Sequence, residues 1–416
     1  MSTSFRSALP FLLMSQLVYS SYAVAAVTHD AGGKIRVRYA DLTEDEVSGK
    51  SASLLIRGNL KTQWTETFTS FIELDYVEDT FEDEHSNGLD VNGKPLFLDV
   101  PGEDLNQLWF KYEGEFAELT FGRQAINLDD QRFVSTVSFW QNEQTFDALR
   151  VDKPLFSASN FMYSYVANAN RIYGDKADKD RPLNADLENN ARPGSLLGDH
   201  QHHSHLFHLE VNEWDFTQWV VYAYLIDNQD IPGASNNTLG TRYEFTFQPG
   251  AFRYHIEAEL ARQQRTEFPA NPENNYAKIF LSAAYSSVEL SARYEYLGSQ
   301  RHNGRQLGVV APIGSLNEFQ GWADGLNPIH GIRGIEDSSL KLKWRHHPWK
   351  FDLRHHWFAD SESELNYGRE TDLDISFDLA KHHEIHFRYA DFRVDEDAED
   401  VLKSQKFAVI SYVFEF

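Results

Sequence analysis

Ser404-Gln405-Lys406-Phe407-Ala408-Val409-Ile410-Ser411-Tyr412-Val413-Phe414-Glu415-Phe416 is the stretch that decides the fold. Ala408, Ile410, Tyr412, Phe414 and Phe416 share one parity, so an extended chain puts them on one face, with Ser411 and Glu415 on the other. Chain ends usually fray. An apolar, aromatic strand face that runs to a final Phe is instead the expected ending of an outer-membrane barrel, where it marks the strand for assembly. A soluble β-sandwich also contains terminal strands, so the rest of the chain must decide.

The other end agrees. Arg6 is followed by apolar residues from Ala8 to Val18 and then by Ala23-Val24-Ala25. This order is that of a secretory signal peptide. We expect residues 1–25 to be the leader and residues 26–416 to be a single barrel. No segment approaches the ~20 apolar residues of a helical span. The absence of cysteine fits an exported barrel that needs no covalent staple.

Mean hydropathy is −0.51, yet 14% of residues are aromatic. A wall with one face to lipid and one to water averages to a polar chain, and its interfacial girdles consume aromatics. The formal charge is −25, which excludes nucleic acid as a partner. It does not exclude an anionic solute, because a total says nothing of where charges point.

Alternating segments of ~10 residues, joined by short and long connections in turn, recur along the chain. Eighteen are predicted, at 34–42, 52–62, 66–79, 104–113, 116–125, 145–152, 156–167, 203–212, 215–227, 239–248, 251–263, 275–286, 288–298, 336–346, 349–359, 367–378, 381–393 and 403–416. The fold class is therefore all-β, a transmembrane antiparallel barrel of about 18 strands. The even count puts both termini in the periplasm. Long segments at 80–103, 126–144, 168–202 and 299–335 read as extracellular loops.

Parity also sorts the wall. In 288–298, Val288, Leu290, Ala292, Tyr294 and Tyr296 should face lipid, and Glu289, Ser291, Arg293 and Glu295 the lumen. A charge facing hydrocarbon costs ~2–4 kcal/mol at the midplane, so the charged parity is the inner one. About 18 strands enclose more than side chains alone can fill, which leaves an aqueous channel.

The inner face gives the candidate site. Arg36, Arg38, Arg57, Lys61, Arg150, Arg293, Lys341, Lys343, Arg345, Arg354 and Arg388 are expected to line the pore and bind substrate. Such a cation-lined track suits an anionic solute. Inner acids such as Glu244, Glu257, Glu259, Glu289, Glu295, Asp372 and Asp374 offer the plainer account of cross-strand pairing. In loop 126–144, Asp129, Asp130 and Arg132 are expected to fold inward and narrow the mouth. Acidic runs at Glu44-Asp45-Glu46 and Asp395–Asp400 are solvated loop surface, with divalent cations as the alternative occupant. No other cofactor is expected. Histidines 200, 202, 203 and 205 fall at the end of loop 168–202, and no metal is assigned to them. No nucleophile elbow, Walker or dinucleotide motif occurs, so an enzyme is not expected.

Two blocks carry a family resemblance. One runs Gly122-Arg123-Gln124 through Asp129-Asp130-Gln131-Arg132-Phe133 to Gln144-Thr145-Phe146-Asp147-Ala148-Leu149-Arg150. The other is Phe319-Gln320-Gly321-Trp322-Ala323-Asp324-Gly325 with Gly334-Ile335-Glu336-Asp337. Together they resemble the alginate export family of Gram-negative outer-membrane porins. The resemblance implies an 18-stranded barrel whose cation-lined pore passes an anionic polysaccharide or oligosaccharide. It also implies lipid, lipopolysaccharide and the barrel assembly machinery as partners. The chain departs from the resembled pattern at Phe139-Trp140-Gln141, where Trp-Arg-Gln would place a loop arginine. A passive porin for small anionic nutrients and a blocked structural barrel are the competing readings.

Overall fold

The computed structural model describes residues 27–183 and 192–416. The expected leader lies outside the described residues. Eighteen strands form one closed antiparallel sheet. They are β1 (Thr28–Glu44), β2 (Val47–Gln63), β3 (Phe68–Asp79), β4 (Gly102–Glu113), β5 (Glu118–Gln124), β6 (Thr145–Leu155), β7 (Ser159–Asn170), β8 (Asp199–Val211), β9 (Thr217–Ile226), β10 (Asn236–Phe247), β11 (Phe252–Arg265), β12 (Glu273–Tyr285), β13 (Val288–Leu297), β16 (Ile335–His346), β17 (Trp349–Ala359), β18 (Asn366–Ala380), β19 (His383–Val394) and β20 (Gln405–Glu415). Two further strands, β14 (Ser299–His302) and β15 (Arg305–Gly308), pair only with each other. That small hairpin lies inside the longest connection, where alternation over four residues is too brief to read.

Every neighbour in the wall is the next strand in sequence, and β1 pairs with β20 to close it. The closing register runs from Lys34 opposite Glu415 to Glu44 opposite Gln405. Phe416 extends it, exchanging both backbone hydrogen bonds with Gly33 at 2.9 and 3.0 Å. Both termini lie at the end that carries the short turns, and the long loops lie at the other. β8 starts at Asp199 rather than 203, so the histidine run belongs to the wall. His200, His202 and His208 point inward and are buried, whereas His203 and His205 face outward beside Tyr165 and Tyr163.

The outer face follows the parity rule. Leu239, Leu260, Leu290 and Ile410 stand 50–63% exposed, because lipid is what covers them. Phe110, Tyr112, Phe156, Trp214, Phe252, Trp344, Trp349 and Phe416 form an outward aromatic girdle near the short-turn end. Tyr39, Tyr76, Tyr294 and Trp357 form a sparser one towards the loops. Two girdles flanking an apolar band are the mark of a membrane barrel.

The loop end of the lumen is not water-filled. Ile126, Phe133, Val134, Trp140, Tyr173, Tyr222, Tyr276, Ile313, Trp322, Leu326, Phe358 and Phe392 form one buried apolar cluster there. Loops supply eight of these twelve residues. The expected wide aqueous bore is thus narrowed at this end, where the loops leave only separate cavities. A wall too wide for its own side chains is filled by chain folded inward. Within the wall, Gly122 of β5 has φ +120, and a Cβ there would meet the Leu108 carbonyl of the neighbouring β4 at 2.3 Å.

The register has a direct consequence. Leu290→Arg is expected to destabilise the barrel by ~2–4 kcal/mol, as a cation near mid-membrane does. Thr120→Arg, on the inner face beside a roomy cavity of about 470 Å³, should change stability little. Denaturant unfolding in lipid vesicles reads both, and equal losses would mean that the register is wrong.

Candidate functional site

Two loops meet inside the barrel. Residues 125–144 follow β5, and residues 309–334 precede β16. Val134 and Ile313 form a parallel bridge. Ser135 N–H donates to the Ile313 carbonyl at 2.9 Å, Ser315 N–H to Gln131 at 3.0 Å, and Gln144 Nε2 to Ile313 at 3.0 Å. Three non-glycine residues of the first loop, Asp129, Gln131 and Val137, have φ of +52 to +71. Positive φ is costly for a β-branched residue such as Val137, and such backbone persists only where surroundings hold it.

Ion pairs tie these loops to the wall. Arg132, 1% exposed, lies 3.0 Å from Glu295 of β13, which is fully buried. Asp129 sits 3.0 Å from His208 of β8 and 3.6 Å from Arg242 of β10. Asp130 contacts Lys278 of β12. Burial pushes the Asp130 carboxyl up, but Lys278 and Arg242 outweigh it and hold the group below its ordinary range. On the far side, Gln320 donates to Glu295, and Ala323 N–H donates to Glu370 of β18 at 2.8 Å. Gly321, at φ +83, permits that contact, since a Cβ would lie 2.3 Å from the Glu370 carboxylate. Asp129, Asp130 and Arg132 thus sit in a loop that folds into the lumen.

Eight of the eleven candidate pore cations have a carboxylate in salt-bridge reach. Arg38 lies 2.8 Å from Asp99, Arg57 2.6 Å from Asp75, Arg150 2.6 Å from Asp152, and Arg293 2.7 Å from Asp337. Lys341 is 2.7 Å from Asp352, Lys343 3.2 Å from Glu289, and Arg388 3.1 Å from Asp374; Arg345 also contacts Asp352. Three have no such partner among the described residues. Lys61 is exposed near the short turns. Arg36 donates to Gln141 Oε1 at 2.6 Å and to the Trp140 carbonyl. Arg354 donates to the Glu318 carbonyl at 3.1 Å.

Arginines also stack on the loop aromatics. Arg38 and Arg388 lie 4.9 and 4.8 Å from the Phe139 ring, and Arg388 and Arg354 lie 4.1 and 5.6 Å from Trp322. Phe319 is faced by Arg132, Arg293 and Lys278. At the point where the chain departs from the resembled pattern, wall arginines meet the loop backbone: Arg36 and Arg38 reach the carbonyls of Trp140 and Phe139.

The loops leave two cavities. One, of about 320 Å³, opens between Phe139, Phe319, Lys341, Arg293 and Arg354. The other, of about 420 Å³, lies among Trp140, Arg171, Tyr173, Arg265 and Asp324. Val137 lines both, so it stands at the partition. Burial lowers the Arg171 guanidinium and lowers His330 to about 3. Asp324 opens only onto the second cavity and accepts from Asn317 at 3.3 Å; burial raises it to about 7.

Sequence reasoning missed Lys278, Phe319 and Trp322 as site residues. Lys278 was legible, being the one cation at an inner position of β12. The two aromatics were not, because nothing in a loop's sequence says that it turns inward. Asp130, Glu257 and Glu259 bring three carboxylates together, but Lys278 already lies 2.6 Å from Glu257 and 2.9 Å from Glu259. This group lies in the lumen and not on the acidic loops.

With this geometry the comparisons take their place. Residues 76–181 match the alginate export family. That alginate-export stretch runs from β3 past β7 and contains the first lumen loop, though not the Phe319–Asp324 block. Among solved structures, OccAB4 of Acinetobacter baumannii is similar with a TM-score of 0.67 at 10% identity, over 93% of this chain and 98% of that one. OpdK of Pseudomonas aeruginosa, solved with vanillate, has a TM-score of 0.63 at 11% identity, over 93% and 99%. No curated protein sequence matches the chain. Fold and family match are those of outer-membrane channels, and the chain is an outer-membrane β-barrel of the porin type.

Removing one partner of a buried pair strands the other charge, at a cost of ~3–5 kcal/mol. Arg132→Met should therefore free the first loop, seen as larger and noisier single-channel conductance. An unchanged current would mean that this pair does not hold the constriction.

Asp324 gives a pH dependence. A carboxyl raised in the folded state stabilises the packed loop most fully below its unfolded value of ~4 and loses that contribution as pH rises through about 7. His330, lowered to about 3, stays neutral in this window. Current fluctuations should grow between about pH 5 and pH 8.5, and Asp324→Asn should flatten the profile.

Proposed function

We propose that the protein is a channel for carboxylate-bearing saccharides of the uronate type, passing an anionic oligosaccharide or polysaccharide past a wall of arginines. The observation that carries this reading is Arg354, which has no carboxylate partner among the described residues, lies 5.6 Å from the Trp322 ring and lines the smaller loop cavity together with Phe139 and Phe319. Arg36, also without a carboxylate partner among the described residues, adds charge to the same wall. Sugars combine a flat apolar face with, in uronates, a charge. A ring such as Phe139 receives the first and a free guanidinium the second. A cavity of about 320 Å³ suits one or two sugar units at a time.

Small anionic nutrients are the second reading, favoured by the buried Arg132–Glu295 tie that keeps the passage narrow. Vanillate, a small aromatic carboxylate, was captured with OpdK. Orientation with the long loops outside and both termini in the periplasm belongs to the proposal, as does assembly by the barrel machinery.

Planar bilayer recording tests it. An anion ~8 Å from an unpaired guanidinium gains about 1 kcal/mol at an effective dielectric near 20, once salt screening is included. Arg36→Gln and Arg354→Gln should thus each lower anion preference by up to roughly fivefold, and together weaken block by oligouronates. Lys343→Gln, whose charge is already met by Glu289, should do less. Block by vanillate but not by oligouronates would favour small solutes. A cation-selective wild-type channel indifferent to the double change would sink both readings.

A further inference from the structure

On the outer wall, towards the loops, Arg369 of β18 stands directly opposite Arg393 of β19. Glu370 and Asp372 are buried inward, so Arg369 points out, and it is exposed, as is Arg393. Cross-strand neighbours lie ~5 Å apart at Cβ, and like charges so placed repel. One step along, Lys406 of β20 lies opposite Asp391. Asp391 is 2.8 Å from Arg393 and 3.8 Å from Lys406. Two outward cations thus share one carboxylate, and Arg369 has none in salt-bridge reach among the described residues. The nearby outward acid Glu336 of β16 is engaged with Tyr294. No ion pair joins Arg369 or Arg393 to the acidic run at 395–400.

The height of this patch identifies what it meets. Trp357 of β17 is opposite Arg369 in register, faces out and is 47% exposed. Below the outward His355–Thr371 pair and Tyr389, the outward residues are apolar: Leu353 and Phe351 on β17, Leu373 and Ile375 on β18, Phe387 and Ile385 on β19, Ala408 and Ile410 on β20. An outward tryptophan at the edge of an apolar band marks the headgroup level. Guanidinium pairs bind phosphate through paired N–H donors, better than ammonium does.

We propose that Arg369, Arg393 and Lys406 form a docking site for the phosphates of lipid A in the outer leaflet. The proposal rests on the orientation given above, with the long loops outside. A phosphate between the two arginines removes their repulsion and fixes this sector of the wall, next to the β1–β20 closure, against a particular lipid.

The test uses the intact barrel purified in detergent, with thermal unfolding followed by gel mobility. Added bis-phosphorylated lipid A should raise the unfolding temperature saturably. Dephosphorylated lipid A and inorganic phosphate should not. Arg369→Gln with Arg393→Gln should raise the half-saturating concentration about tenfold or more, which is ~1.4 kcal/mol. Arg369→Lys should keep part of the effect. Arg262→Gln, an outward cation elsewhere that is met by Glu273, should keep all of it. An equal shift from inorganic phosphate, or from wild type and double variant alike, overturns the proposal. If the double variant does not fold, the single Arg369→Gln decides by the same criterion. Orientation is read separately. The chain has no cysteine, so Ser363→Cys, in the loop between β17 and β18, should label from outside whole cells with an impermeant maleimide. Labelling without the lipid effect rejects this site and leaves the channel reading untouched.

Discussion

A sheet in hydrocarbon has no water to satisfy its edges, and everything in this molecule follows from the way β1 meets β20. The junction pairs eleven residues of β1 with eleven of β20 and adds the Gly33–Phe416 exchange. Once the ring is closed, each strand has one face in lipid and one in the lumen. The outer face is then free to be apolar, and the inner face must take every charge. Closure at 18 strands also fixes a bore wider than side chains span. The protein resolves this by sending loops inward, where they pack with wall side chains into an extensive apolar core among the described residues.

The inward loops are held mostly by charge. Arg132, Asp129 and Asp130 insert into a wall that already carries Glu295, His208, Arg242 and Lys278. Buried ions tolerate this only when each has partners, which is why Lys278 lies among Asp130, Glu257 and Glu259. A chain with a formal charge of −25 therefore hides a nearly balanced interior. Its surplus of acid lies on the loops outside, where salt screens it. The few interior charges left unbalanced stand out against that background.

Much of the wall could be read directly. Leu290 and Ile410 face lipid, and Glu289 and Ser411 do not, because a period of two is a local property of the chain. The strand count followed for the same reason. The start of β8 did not, because Asp199-His200-Gln201-His202 contains no apolar partner to set the alternation. Which cations would be free was also illegible. Arg38 and Arg36 are two residues apart on one face, yet Asp99 reaches only Arg38, from a loop whose course no local pattern encodes. Loop 126–144 is expected to fold inward, whereas the loop of Phe319–Asp324 reads as extracellular; Gly321 allows its inward course, since only a missing Cβ lets Glu370 approach.

Arg36 and Arg38 hold the first loop largely by its backbone carbonyls, at Trp140 and Phe139, with Gln141 as the one side-chain acceptor. The positive charge at the narrow point therefore belongs to the rigid wall, and the obstruction belongs to a loop with strained residues such as Val137. On the proposed channel reading, the filter and the gate are different parts. Sequence drift at positions 139–141 can alter how wide the passage opens while the sign of what it admits stays fixed in the strands. Relatives could then diverge in the size of their cargo faster than in its charge.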